Sequence, residues 1–164
     1  VNDFYRREAQ RFIDGSLIFR TNEDEANEAA VAKILEAHWN CECRPMGKLA
    51  AIDWFFVRHE RIVGVGELKI HRCAFGDYDS VFLNLRKWHA LGLCQHGMNT
   101  PAVYVSQWSD KLGFINWVDI DASKHKIGGC RPRGPKSRSD TEPLIVIPTS
   151  SINIISDQGY ANAP

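Results

Sequence analysis

The chain has 164 residues, with 20 basic and 20 acidic side chains, so its formal net charge is zero. That length suffices for one domain, spanning 1–164, with a sizeable core. No apolar run approaches the roughly 20 residues that cross a bilayer, and no signal-peptide pattern opens the sequence, so a cytoplasmic protein is expected; global charge does not announce a nucleic-acid partner.

The first expected element is a short helix from Asp3 to Asp14, with Phe4, Tyr5, Ala9, Phe12 and Ile13 near one face. A second helix starts at Thr21 or Asn22, both good caps. Ala26, Ala30, Val31, Ile34, Leu35 and His38 form its apolar stripe, flanked by Glu28. Asn40 to Gly47 is a connection with room for a short strand. Two apolar runs follow, Ala50 to Val57 and Ile62 to Ile70, separated by Arg58-His59-Glu60-Arg61. Both are rich in β-branched or aromatic residues, and they read as an antiparallel hairpin. After a loop from Arg72 to Asp79, Asp79 or Ser80 is expected to cap a third helix reaching about His96-Gly97. Its spacing rests on Phe82, Leu85, Trp88, His89 and Leu93. Pro101 to Trp108 and Leu112 to Ile120 read as strands. Lys124 to Thr141 is polar and rich in Gly, Pro and Arg, a loop or hairpin excursion outside the core. Leu144 to Ile147 is the last expected strand. The order of helix, strands, helix, strands predicts an α/β fold, a mixed sheet with helices on its faces.

Three charged residues stand in the most apolar part of the chain. With the hairpin turn centred near Glu60, Asp53 falls opposite Glu67. Alternation along the strands then puts Asp53, Glu67, Lys69 and His71 on one side. Carboxylates facing each other across a ladder repel, so a divalent cation between them is the expected reason for the arrangement. Phosphodiester hydrolysis needs an activated water, a neutralised phosphate and a stabilised leaving oxygen. Mg²⁺ supplies all three and prefers oxygen ligands. Asp53, Glu67 and the backbone carbonyl of Leu68 would be its ligands, with Lys69 beside it to orient the water or stabilise the phosphate.

An acidic residue on one strand, then Glu67-Leu68-Lys69 on the next, after a helix, resembles the PD-(D/E)XK nuclease superfamily. The resemblance implies a restriction-endonuclease-like αβββαβ core and a DNA-cleaving hydrolase using Mg²⁺ or Mn²⁺. It implies Asp53, Glu67, Lys69 and Lys87 as catalytic residues, and Glu28 as a further metal ligand from the preceding helix. The N-terminal helix (about 3–14) and the basic stretch (about 124–142) are then additions to that core. Ile127-Gly128-Gly129-Cys130-Arg131, Asp140-Thr141-Glu142-Pro143 and Leu144 to Pro148 are similar to small phage-encoded members, which would place the protein in the host cytoplasm. The residue before Asp53 is isoleucine, where the motif has proline. DNA is the implied partner, a homodimer is compatible with the resemblance, and no membrane is involved. Arg131, Arg133, Lys136 and Arg138 are candidate phosphate contacts, with His71 as a further nucleic-acid contact.

Each of these residues also has an ordinary reading. Glu67 and Lys69 would form surface ion pairs on a solvent-facing hairpin. Glu28 is an acid near a helix N-terminus, Lys87 lies along Trp88, His71 ends a strand, and the basic run is a solvated loop. A catalytically inactive nucleic-acid-binding or phage assembly module on the same fold is the competing function. The five cysteines, Cys41, Cys43, Cys73, Cys94 and Cys130, read as free thiols. Cys41-x-Cys43 near His38 is the one hint of structural zinc, without a second close pair to complete a four-ligand site.

Overall fold

A computed structural model describes residues 22–46, 50–129 and 141–157. The expected helix over Asp3 to Asp14 and the cations from Arg131 to Arg138 lie outside the described residues.

Helix α1 (Asn22–Trp39) leads into β1 (Glu42–Pro45), β2 (Trp54–Arg58) and β3 (Arg61–Ile70). β4 (Ser80–Asn84) runs directly into α2 (Leu85–Gly97), followed by β5 (Ala102–Gln107) and β6 (Leu112–Asn116). A 3-10 turn (Trp117–Asp119), β7 (His125–Gly129), β8 (Thr141–Pro148), a second 3-10 turn (Thr149–Ser151) and β9 (Asn153–Ser156) complete the described order. Six strands form one sheet in the order β1-β2-β3-β5-β6-β9. β3 and β5 are parallel and the other pairs antiparallel, so the sheet is mixed. A smaller sheet, β4-β8-β7, is antiparallel throughout. Helix α1, strands β1 to β3, helix α2 and β5 give the αβββαβ succession, with β4 inserted before α2.

Alternation along the strands divides the core in two. Val31 and Leu35 of α1 pack with Trp54, Phe56, Val103 and Val105 on one face of the large sheet. Val65, Ala102 and Tyr104 point to the other face and meet Leu91 of α2 with Val81, Leu83, Ile145 and Ile147 of the small sheet. Gly66 lies where the Phe56 ring crosses the strand: a Cβ there would stand 2.7 Å from the Phe56 Cζ, closer than packed carbons approach. The hairpin closes through His59 and Glu60, at φ of 47° and 60°. Two positive φ values in a two-residue loop mark the turn whose twist matches the flanking strands. At the end of α1, Asn40 takes a left-handed conformation with φ 49°. The Arg58 guanidinium donates to the Trp39 and Asn40 carbonyls, satisfying orphan acceptors of the helix end.

Three expected elements differ. Ser80 to Asn84 is a strand, and the helix starts only at Leu85, with Asn84 Oδ1 accepting the Arg86 N–H at 2.8 Å. Val81 and Leu83 are buried while Phe82 is exposed, a period of two that pairing with β8 enforces. The strand from Leu112 stops at Asn116, because Trp117 turns onto α2 and its Nε1 donates to the Trp88 carbonyl at 2.9 Å. The last region holds two strands: β8 is longer than expected, and β9 adds an edge beside β6. Lys124 to Thr141 is in part a hairpin arm, β7 pairing with β8. Among the described residues no helix is long and apolar enough to cross a membrane.

Candidate active site

The hairpin register brings the two carboxylates together. Trp54 pairs with Gly66 and Phe55 with Val65, and just before β2 the Asp53 N–H donates to the Gly66 carbonyl at 3.1 Å. Asp53 therefore stands next to Glu67. Its Oδ2 accepts the Leu68 N–H at 2.7 Å, which fixes the carboxylate against the neighbouring strand. Leu68 thus orients Asp53 through its amide. Its carbonyl remains an expected metal ligand from the sequence.

Glu67 is 8% exposed, beside fully buried Tyr104 on parallel strand β5. Burial, and then the charge of Asp53, push its carboxyl up to about 8, against the opposing pull of Lys87. Lys87, in the first turn of α2, sets its Nζ 2.9 Å from Glu67 Oε2. The side chains on both sides of this pair are largely covered, at 26% and 11% exposure. A charge-assisted bond in such surroundings is short and directional. Tyr104 has its hydroxyl directed to the Phe82 carbonyl at 3.3 Å, and its pKa is raised, chiefly by burial.

Lys69 follows Glu67 on the same side of β3 and is exposed. Two residues on, the His71 ring stacks on Trp108 with centroids 5.3 Å apart. Burial first, and the Lys69 charge second, lower the His71 pKa to about 4. At neutral pH the ring is uncharged and offers no cation to a phosphate, and among the described residues its buried Nε2 has no hydrogen-bond partner. Glu28 belongs to α1, which packs on the opposite face of the sheet. Among the described residues no three His, Cys, Asp or Glu side chains gather to hold a metal ion. Cys41 and Cys43 lie at the α1 end, where burial raises both thiols, Cys43 to about 12.

A cavity of about 240 Å³, walled by Trp39, Phe56, Arg58, Val103 and Phe114, opens on the α1 side near the start of β3. It lies at the other end of the strands from Asp53 and Glu67, and apart from them.

The structure thus joins Asp53, Glu67 and Lys87, with Lys69 adjacent. Two carboxylates with hard oxygen donors fit Mg²⁺ or Mn²⁺, since Mg²⁺ is commonly held by one or two carboxylates and keeps several waters. The residue that strand reasoning alone does not place is Tyr104, found only through the parallel pairing of β3 with β5.

Residues 17–155 match the family model described as "Phage putative PDDEXK endonuclease". No curated protein matches the chain.

Proposed function

The chain belongs to this phage PDDEXK endonuclease family, and from that membership we propose that it is a divalent-metal-dependent nuclease hydrolysing phosphodiester bonds in DNA. The observation that carries the reading is the buried Glu67 carboxyl group, held beside Asp53 and 2.9 Å from the Lys87 ammonium. A bound Mg²⁺ or Mn²⁺ supplies an activated water and neutralises charge on the phosphate and leaving oxygen. Asp53 and Glu67 are its proposed protein ligands, with Asp53 pre-oriented by the Leu68 amide. The proposed role of Lys69 is to stabilise charge on the phosphate as the bond breaks, an interaction worth most in the transition state. Arg131, Arg133, Lys136 and Arg138 are proposed to hold the DNA backbone.

The test is incubation with plasmid, linear duplex, single-stranded and branched DNA in Mg²⁺, Mn²⁺ or EDTA. Cleavage should require the metal and disappear in Asp53→Asn and Glu67→Gln. Lys69→Ala should cut roughly 10²- to 10³-fold more slowly while still binding DNA. Cleavage in EDTA, or parental rates in the carboxylate variants, would refute the reading.

A further inference from the structure

Lys87 does more than sit near the carboxylates. Its ammonium lies 2.9 Å from one particular oxygen, Glu67 Oε2, in a site where both side chains are mostly covered. It comes from a different element: α2 carries Lys87, while β3 carries Glu67. Asn84 holds the start of that helix in place, through the hydrogen bond to the Arg86 N–H. The backbone at Lys87 is therefore anchored, whereas its side chain has four rotatable carbons and one charged end.

An ammonium and a divalent ion both seek the same lone pairs. Held within a few ångströms of each other at a buried carboxylate, they repel, because the surrounding protein screens them far less than water does. Asp53 cannot relieve this by turning away, since its Oδ2 is tied to the Leu68 amide. The mobile member of the group is the Lys87 side chain.

We infer that Lys87 is a displaceable counter-ion: it and the divalent ion are alternative partners of Glu67 Oε2, and metal binding releases the lysine toward the substrate phosphate. This rests on the metal-dependent reading above. In that role Lys87 balances Glu67 until a metal arrives. It then becomes a cation freed at the moment when phosphate charge needs one. A lysine that simply braces α2 against β3 would stay on Glu67 in both states.

Calorimetric Mg²⁺ titration at pH 9, above the value near 8 to which Glu67 is pushed, separates the two. Lys87→Met should bind Mg²⁺ about tenfold more tightly than the parent, the worth of one charged hydrogen bond no longer in competition. Lys87→Arg, which keeps the charge, should stay within about twofold of the parent on the same reasoning. Should Lys87→Met fail to fold, Lys87→Gln offers the same comparison with a neutral side chain. Amine acylation read by mass spectrometry gives a positional check. Lys87 should label faster in saturating Mg²⁺ than in EDTA, while exposed Lys33 on α1 labels equally in both. Unchanged or weaker affinity in the neutral variants, or Lys87 labelling that ignores Mg²⁺, would overturn the inference. A parent protein that binds no Mg²⁺ at all would instead remove the metal reading on which it rests.

Discussion

At the scale of single residues, the candidate site carries a cost that pH exposes. Glu67 moves from an ordinary value of 4.5 to about 8 on folding, chiefly through burial. An acid raised in the folded state contributes its stability below the unfolded value and loses it as pH climbs through the folded one. Without metal, the protein should therefore lose stability between about pH 4.5 and pH 8. His71 acts in the opposite direction. Its value falls from 6.5 to about 4, again chiefly through burial, so stability is lost as pH drops from about 6.5 to 4. The two limbs leave a metal-free optimum near their overlap, on the weakly acidic side of neutrality. Urea unfolding in EDTA across this range should show both limbs. Glu67→Gln should flatten the alkaline limb and leave the acidic one; an unchanged alkaline limb would show that Glu67 is not the group responsible.

At the scale of elements, the hairpin was legible because its alternation is strong and one register alone buries Trp54, Phe56 and Val65 together. Asp53 beside Glu67 followed from that register. β4 was not legible as a strand. Phe82, Leu85, Trp88 and His89 also satisfy a helical period, and only pairing with the distant β8 decides for the strand. β9 is short and half-exposed, so it carries little pattern of its own. The contact between Lys87 and Glu67 needed the packing of α2 on β3, which local spacing does not encode. Gly92 shows the same dependence on tertiary context. In an isolated helix, Gly92→Ala would gain about 1 kcal/mol. Here a Cβ would stand 2.6 Å from Trp117 Cζ2, and the indole is held by its bond to the Trp88 carbonyl. The substitution should therefore destabilise the protein by about 1–3 kcal/mol, the usual result of overpacking. The denaturation midpoint measures it, and a rise in that midpoint would mean that Trp117 yields without loss.

At the scale of the whole molecule, the two sheets give the proposed DNA path a direction. β4 pairs with β8 only from Leu144 onward, and Asn84, opposite Leu144, caps α2. Beyond that point Ile127, Gly128 and Gly129 pair with Pro143, Glu142 and Thr141 alone, so the arm continues as a two-stranded ribbon past the start of α2. Lys87 lies in the first turn of that helix. Gly129 and Thr141, the described ends of this ribbon, thus stand on the side of the molecule where α2 starts and Lys87 meets Glu67, and in the sequence Arg131, Arg133, Lys136 and Arg138 lie between them. Gly134, Pro132 and Pro135 between the cations suit backbone contacts better than base reading. Each phosphate neutralised on duplex DNA contributes about 0.9 to the log–log salt slope. Replacing the four cations with glutamine should weaken binding to all sequences alike and flatten the slope, by as much as roughly 3–4 units if every cation meets a phosphate. Mg²⁺ affinity should stay at the parental value, because none of the four belongs to the carboxylate pair. A parental salt slope in the quadruple variant would show that the arm is only solvated and that the DNA runs elsewhere, with Arg6, Arg7 and Arg11 the next cations to replace.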